Sequence, residues 1–598
     1  MSHRLSLLPL PAGLMSLLLA AGLATAADTP WSQGPVVCYD VPAISSIPRL
    51  PDELPEDGRP STRLRVVAAQ GEYEPASFVI APRADVTSLV LKASALQGPG
   101  GTIPAANVDL KVVKVWYQGG TAWYSYFGDS NRRELTPELL LNDENLLRVD
   151  QKTEQNELRV GGKYQSVSYP RSDENEAFNF YTEPVADSPT LQPIRLEKGH
   201  NKQIWITVHV PESAAGGVYQ GKIELLADGK NIGAMELAVR VLPFALPMPK
   251  TYYDLDLDYL VTLYGTGVLD MCERLNIPQA EADQLQNAIY ANLLKHNVFN
   301  CRSDLTLSYQ KDRAKAIEKL KHELQLMKQA GFVMKPLLSR GWAYPAGEKD
   351  LDEYKDRIDD LVDTLVGEVG HKDIYITSWD EAGVDRIKIM RERARYTTSK
   401  GIKLWVSTHA GRHFDLAGYA ISYANHGGWP ARENVATWHA LGAKVGSYAG
   451  PHTGPENPDI FRRMEGLARY KAYYDGSFNY KYFMGLHPTL YQRQKANLWN
   501  DFMGGAFRPM NLVYPTKTGV IDTLAFEGFR EGIDDVRYAT KLKQEAARAI
   551  ASGNVDAIYT GKKALIWLEL LDDKTVDLNA ARMEMIEYIL KIQAAMEH

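Results

Sequence analysis

The stretch Asp373-Ile-Tyr-Ile-Thr-Ser-Trp-Asp-Glu-Ala382 reads as a buried β-strand that delivers two adjacent carboxylates, Asp380 and Glu381, to its C-terminal end. The run is β-branched and aromatic, and it lies between two helical patterns, 351–369 and 384–400, so it belongs in a βαβ unit. Parallel α/β barrels keep their chemistry at the C-terminal ends of their strands. Side chains alternate faces along a strand, but where the chain curls at the strand end two neighbours can turn toward one cleft. Adjacent acids repel, so one can hold a proton near neutral pH while the other stays ionised, as paired acid and charge-stabiliser work requires. Either acid could instead cap the helix that begins near Val384, using its oxygens on free backbone N–H groups.

Working outward, the chain from 251 onward alternates strand and helix. Strands are expected at 253–260, 298–302, 333–339, 374–379, 403–408, 420–425, 444–448 and 476–483, with helices between them and a last one over 526–546. That is the count of a (β/α)8 barrel, a TIM-type fold placed at 251–548. Beyond it, 549–598 reads as amphipathic helices forming a C-terminal extension packed on the barrel. Upstream, short alternating segments at 64–69, 76–81, 89–93, 108–117, 203–210, 221–226 and 234–242 predict an N-terminal antiparallel β-sandwich over 27–250. Within it the polar stretch 131–188 reads as a long insertion or loop. The connector Leu242-Pro-Phe-Ala-Leu-Pro-Met-Pro249 is proline-spaced and stiff, which places a domain boundary there.

Residues 1–26 resemble a secretory signal: Arg4, an apolar stretch through Leu23, and Ala24-Thr25-Ala26 as a small-x-small cleavage site. No later run is apolar enough to span a bilayer, so an exported protein without a membrane span is expected, periplasmic or secreted. The chain has 3 cysteines in 598 residues, which argues against a disulfide framework or a cysteine metal site. A net charge of −7 argues against nucleic acid as partner. The 11 tryptophans and 32 tyrosines offer flat faces that suit sugar rings, although most aromatic side chains serve as core. Neither a cofactor nor a metal is expected, and the oligomeric state stays open. His409 and His413 are spaced as a His-x3-His pair, but a loop position without a third acidic ligand favours hydrogen-bonded histidines.

Three motifs resemble glycoside hydrolase family 123 and its wider relatives across most of the mature length. They are Trp205-Ile-Thr-Val-His-Val-Pro211 with Gly217-Val-Tyr-Gln-Gly221, then Ser378-Trp-Asp-Glu381, and finally Met510-Asn-Leu-Val-Tyr-Pro515, Thr523-Leu-Ala-Phe-Glu527 and Phe529-Arg-Glu-Gly-Ile-Asp-Asp535. The resemblance implies a β-N-acetylgalactosaminidase-like, retaining, exo-acting hydrolase in which the substrate's acetamido oxygen replaces the enzyme nucleophile. Carried onto this chain, Glu381 would be the general acid and then base, and Asp380 would orient the acetamido group and steady the positive intermediate. Relatives often carry proline directly after the acid pair, where this chain has Ala382-Gly383.

Around that rim, Arg340 and Trp342 lie beyond the third strand, Asn425 and His426 beyond the sixth, Tyr448 and His452 beyond the seventh, and Tyr480 in the eighth. Arg340, Trp342, Asn425, Tyr448 and Tyr480 are the expected substrate-binding residues; Tyr448 is the one the resemblance favours. A packing role is open for each. The cluster Arg530, Glu531, Asp534 and Asp535 reads as structural, with acids near a helix start pairing with arginine. Two other functions stay open. One is a retaining glycosidase with a protein nucleophile, for which Asp304, Glu433 or Glu456 could serve. The other is a catalytically silent glycan-binding protein.

Overall fold

The structure is a computed structural model that describes residues 31, 34–119, 133–168, 185–274, 276–305, 312–340, 351–377, 380–408, 411–449, 457–483, 499 and 510–597. Residues 1–26, Ser378, Trp379, Trp342, His409, His452 and Glu456 lie outside the described residues.

The chain is multidomain in texture, with antiparallel sheets first and a parallel sheet after. One six-stranded antiparallel sheet runs, in order, Arg59–Pro60, Val36–Val41, Tyr73–Pro82, Lys202–His209, Val108–Gln118 and Glu134–Leu141. A second sheet is built on Ile194–Leu196, Val86–Ala93, Gly217–Ala227, Lys230–Ala245 and Arg63–Gln70, the last pair being parallel. The strand Arg63–Gln70 shows why sequence alternation predicts this: Leu64, Val66 and Ala68 are buried while Arg63 and Arg65 face water. Phe78 and Ile80 of the first sheet share a buried cluster with Leu64, Val66, Leu225 and Leu237 of the second. The two halves of the Trp205–Gly221 motif fall in different sheets, so the segment between them crosses from one sheet to the other.

The stretch read as an irregular insertion is partly regular. Glu134–Leu141 completes the first sheet, and Leu147–Asp150, Gln155–Val160 and Lys163–Ser166 form a small meander of their own. Its polar sequence misled because a three-stranded meander with water on one side needs few apolar residues.

From Leu260 onward eight parallel strands form one sheet in which neighbours follow chain order: Leu260–Leu263, Arg302–Ser303, Leu337–Ser339, Ile374–Thr377, Lys403–Thr408, Tyr423–Gly427, Lys444–Ala449 and Gly476–Asn479. The eighth strand pairs with the first. The first and second strands lack a ladder, and Asn300 spans that gap. Its backbone N–H donates to the Val261 carbonyl at 3.0 Å, and its side-chain oxygen accepts from the Val261 N–H at 3.0 Å. The result is a near-closed, TIM-like barrel.

Its interior is aromatic. Leu260, Leu338, Tyr375, Trp405, Tyr423 and Phe478 form a separate buried cluster, with Phe478 4.8 Å from the Trp405 ring and 4.7 Å from Tyr423. Such bulk leaves no room on the neighbouring inner positions. A side chain at Gly446 would meet Tyr423 and Phe478 at under 3 Å, and one at Gly476 would strike the Leu260 carbonyl at 2.3 Å. Glycine at those points is what lets large rings fill a small barrel.

The 28-residue helix Leu524–Ala551 follows, capped by Thr523, whose hydroxyl accepts the Phe526 N–H. Val555–Leu570 and Leu578–Met596 pack against it. The charged cluster of its first turns is buried: Arg582 pairs with Glu531 and Asp535, both at 2.6 Å, and with Glu74 of the first sheet at 3.0 Å, while Arg462 holds Asp535 at 2.8 Å. Breaking one partner would strand a buried charge, so this network ties the N-terminal sheet to the C-terminal helices. Cys38, Cys272 and Cys301 are buried thiols without a disulfide. Among the described residues no helix is long and apolar enough to cross a membrane.

Candidate active site

The fourth barrel strand ends at Thr377, and Asp380 and Glu381 follow, both exposed at its C-terminal end. Glu381 has a positive φ of 46°, a left-handed conformation that costs a non-glycine residue and is kept only where neighbours fix it. Here the Glu381 N–H donates to the Ser407 carbonyl of the fifth strand at 3.0 Å. The helix Val384–Ser399 has Gly383 at its N-cap, so the N-cap position itself is taken by neither acid.

Tyr448, at the end of the seventh strand, donates its hydroxyl to the Glu381 carboxylate. Tyr264, one residue past the first strand, stands between the others. Its ring is 6.5 Å from Tyr448, 5.7 Å from Tyr480 and 5.9 Å from Trp405, on which it stacks. Its hydroxyl meets the Ser407 hydroxyl at 2.9 Å and accepts from the Asn425 amide at 2.9 Å. Asn425 is wholly buried and reaches the mouth through Tyr264. The Tyr480 N–H donates to the Tyr448 carbonyl at 2.8 Å, which ties the seventh and eighth strand ends together.

Burial and nearby negative charge act on these phenols in one direction. Burial, then the Asp380 charge, pushes Tyr264 up to about 12 and Tyr480 up to about 12. Tyr448 is driven further up by burial, by its bond to Glu381 and by the charges of both acids. All three therefore remain protonated donors around the acid pair.

On the other side, Asp304 accepts the Thr266 and Gly267 N–H groups, each at 3.0 Å, and the Arg302 Nε at 2.9 Å. Burial works against its charge, yet Arg302 and Arg340 hold it below the usual carboxylate range. Arg302 lies with its guanidinium 4.6 Å from the Tyr264 ring centre. Arg340 follows the third strand, is half-buried, and donates its backbone N–H to Ser303 at 2.8 Å. Lys481 is buried with its ammonium 4.9 Å from the Tyr480 ring centre; burial brings it down to about 7, with Arg340 and Arg302 adding to that and Asp304 opposing.

The structure thus brings Asp380, Glu381, Arg340, Asn425, Tyr448 and Tyr480 to one end of the barrel. Glu433 lies elsewhere, exposed in the first turn of the helix Arg432–His439. Tyr264, Arg302 and Lys481 escaped the sequence reading. An aromatic residue directly after the apolar run 260–263 and before Gly265 was the available signal for Tyr264, had the first strand been placed on that run. Among the described residues one His and acid group could bring metal ligands together, His296, Asp522 and Glu527. Glu527 already pairs with Arg530 at 2.5 Å, and His296 ends the helix leading into the second strand, at the opposite end of the barrel. A guanidinium already supplies the positive charge there.

No family model matches the sequence, and no curated protein matches it. Solved structures align with the chain. A family 39 glycoside hydrolase from Bacteroides cellulosilyticus aligns at 11% identity over 58% of this chain and 75% of its own, with a TM-score of 0.32. A Bacteroides ovatus family 5 xyloglucanase aligns at 8% over 79% and 98%, with a TM-score of 0.28. A family 123 glycoside hydrolase from Clostridium perfringens aligns at 12% identity over 94% of this chain and 99% of its own, with a TM-score of 0.61. The resemblance in the motifs is therefore met by a likeness of fold to a family 123 glycoside hydrolase along nearly the whole chain.

Proposed function

We propose that the chain is a glycoside hydrolase working at the barrel mouth, with Glu381 as general acid and base and Asp380 as the charge that orients a substrate acetamido group. The observation that carries this is an exposed pair of adjacent acids beyond the fourth strand, one of them accepting the Tyr448 hydroxyl. Such a pair suits a substrate-assisted retaining mechanism. The acetamido oxygen attacks the anomeric carbon, Glu381 gives its proton to the leaving oxygen, and Asp380 steadies the oxazolinium-like intermediate until Glu381 activates water. The substrate class is then a terminal β-linked 2-acetamido sugar, N-acetylgalactosaminide-like. Arg340, Trp342, Tyr448 and Tyr480 contact it, and Asn425 acts through Tyr264.

A protein nucleophile is less well supported, because Asp304 is already engaged by two backbone N–H groups and Arg302. The N-terminal sheets form a sandwich over 27–250, the barrel spans 251–548, the last helices extend it, and 1–26 is removed on export.

Hydrolysis of nitrophenyl β-glycosides with and without the 2-acetamido group tests the proposal, with inhibition by an N-acetyl thiazoline sugar as a second reading. Glu381→Gln should lower turnover about a hundredfold or more. Cleavage of plain glycosides alone would refute the assisted mechanism, and absence of any cleavage would refute the enzyme.

A further inference from the structure

A recess of about 610 Å³ lies where the N-terminal sheets meet the barrel wall. That volume is ordinary for a small-molecule site, and such sites favour domain junctions. One side comes from the first sheet. Tyr73 and His209 are partners across the strands Tyr73–Pro82 and Lys202–His209, and their rings stack at 4.1 Å with 12° between planes. Glu212 lines the same side, beside Gly71, where an added side chain would press on Glu212 at 3.2 Å. The other side is barrel wall: Asn287 and Lys295 from the helix Gln279–Lys295, and Gln329 from the helix Arg313–Ala330. The recess reaches the C-terminal ends of both helices, from which the chain enters the second and third strands. It therefore sits toward the N-terminal end of the barrel, away from Asp380 and Glu381.

The polar groups around this recess are unspent. Among the described residues the Tyr73 hydroxyl and the side chains of Glu212, Asn287 and Gln329 make no hydrogen bond. Lys295 makes no ion pair among them, and its ammonium stands 5.8 Å from the Tyr73 ring centre. The Asn107 amide donates to the His209 carbonyl at 2.9 Å and lies 3.3 Å from Nδ1, so Nδ1 accepts and Nε2 carries the proton. Burial holds that imidazole below its ordinary value, with Glu212 opposing and Lys295 adding, which keeps the ring neutral. One cation and one anion thus balance, and two amides, a phenol and an imidazole supply both donors and acceptors. Such a set suits an uncharged ligand rich in hydroxyls, each a donor and an acceptor, with C–H faces for the ring pair. We infer that this recess is a carbohydrate site separate from the barrel mouth, and that it holds a neutral sugar unit of a glycan. The choice of a sugar as the hydroxyl-rich ligand rests on the glycosidase reading.

Titration calorimetry on Glu381→Gln protein, with methyl β-N-acetylgalactosaminide, lactose and N-acetyllactosamine as probes, tests this. At least one probe should bind in a way that the recess controls. The double substitution Asn287→Ala with Gln329→Ala, which removes only exposed side chains, should weaken that binding about fivefold or more. Tyr73→Phe keeps the ring stack and should weaken it about threefold. Adding Asp380→Asn should leave it unchanged. Absence of binding by all three probes overturns the inference, as does binding that neither recess variant weakens. Turnover of the matching nitrophenyl β-glycoside by protein with Glu381 intact reports the enzyme separately, and the recess variants should leave it unchanged. Recess-dependent binding without any cleavage refutes the hydrolase and keeps the site; cleavage without recess-dependent binding refutes the site and keeps the hydrolase.

Discussion

The Tyr448 hydroxyl donates to the Glu381 carboxylate across the barrel mouth, from the end of the seventh strand to the turn beyond the fourth. Glu381 is otherwise exposed, in a left-handed backbone held by Ser407. The phenol is what fixes the carboxylate's direction. Tyr448→Phe should therefore lower kcat/KM on an aryl β-glycoside by about tenfold to a hundredfold, the effect of one hydrogen bond to a charged group. Stability in urea should stay within about 0.5 kcal/mol, since Glu381 keeps its access to water. Unchanged kinetics would remove Tyr448 from the machinery.

The barrel seam makes a second prediction. Asn300 takes the place of a missing ladder by bonding Val261 through both backbone and side chain. Asn300→Ala leaves the Val261 N–H buried without an acceptor, which should cost about 1–3 kcal/mol in urea unfolding. A loss within experimental scatter would mean that the first two strands are held by their flanking helices instead.

Much of this barrel was legible in the chain because fully buried parallel strands are short β-branched or aromatic runs. Lys403–Thr408 was placed at its observed bounds. The first strand was set too early, at 253–260, because Tyr253, Leu255 and Leu257 mimic alternation; in the fold Thr251 and Asp254 turn the chain there, and the strand begins at Leu260. That shift hid Tyr264. Asp380 and Glu381 were visible because acids rarely follow such a run without cause. Arg302 and Lys481 were not, because their meaning depends on which strand ends meet across the barrel.

The third prediction contrasts two helical glycines. Gly532 lies where the helix Leu524–Ala551 crosses the segment after Pro458–Arg463. An added methyl would sit 2.5 Å from the Arg462 carbonyl, and one at Gly466 would sit 2.6 Å from the Gly532 carbonyl. Gly532→Ala should destabilise by about 1–3 kcal/mol or more through overpacking against backbone. Gly367, in the helix Leu351–Val369, has open space around it. Gly367→Ala should stabilise by about 0.5–1 kcal/mol through helix propensity. Similar responses at the two sites would refute the packing account of the Phe529–Asp535 motif.

Glu72 carries the last prediction. It accepts the Ala69 N–H at 2.6 Å and the Tyr538 hydroxyl at 2.7 Å, joining the N-terminal sheets to the long C-terminal helix. Burial, with the Asp534 charge adding and Arg582 opposing, pushes its carboxyl from 4.5 up to about 8. The folded protein thus keeps a proton that the unfolded chain releases. The stabilisation is fully present below 4.5 and is lost as pH rises through about 8, so folding stability should fall across that window. Glu72→Gln cannot ionise yet keeps an oxygen for both donors. Urea unfolding at several values between about pH 5 and pH 8.5 should show the variant losing ~2 kcal/mol less than the parent over that range. Parallel profiles for the two proteins would show that Glu72 is already ionised in the fold, and that Arg582 outweighs burial in setting its charge.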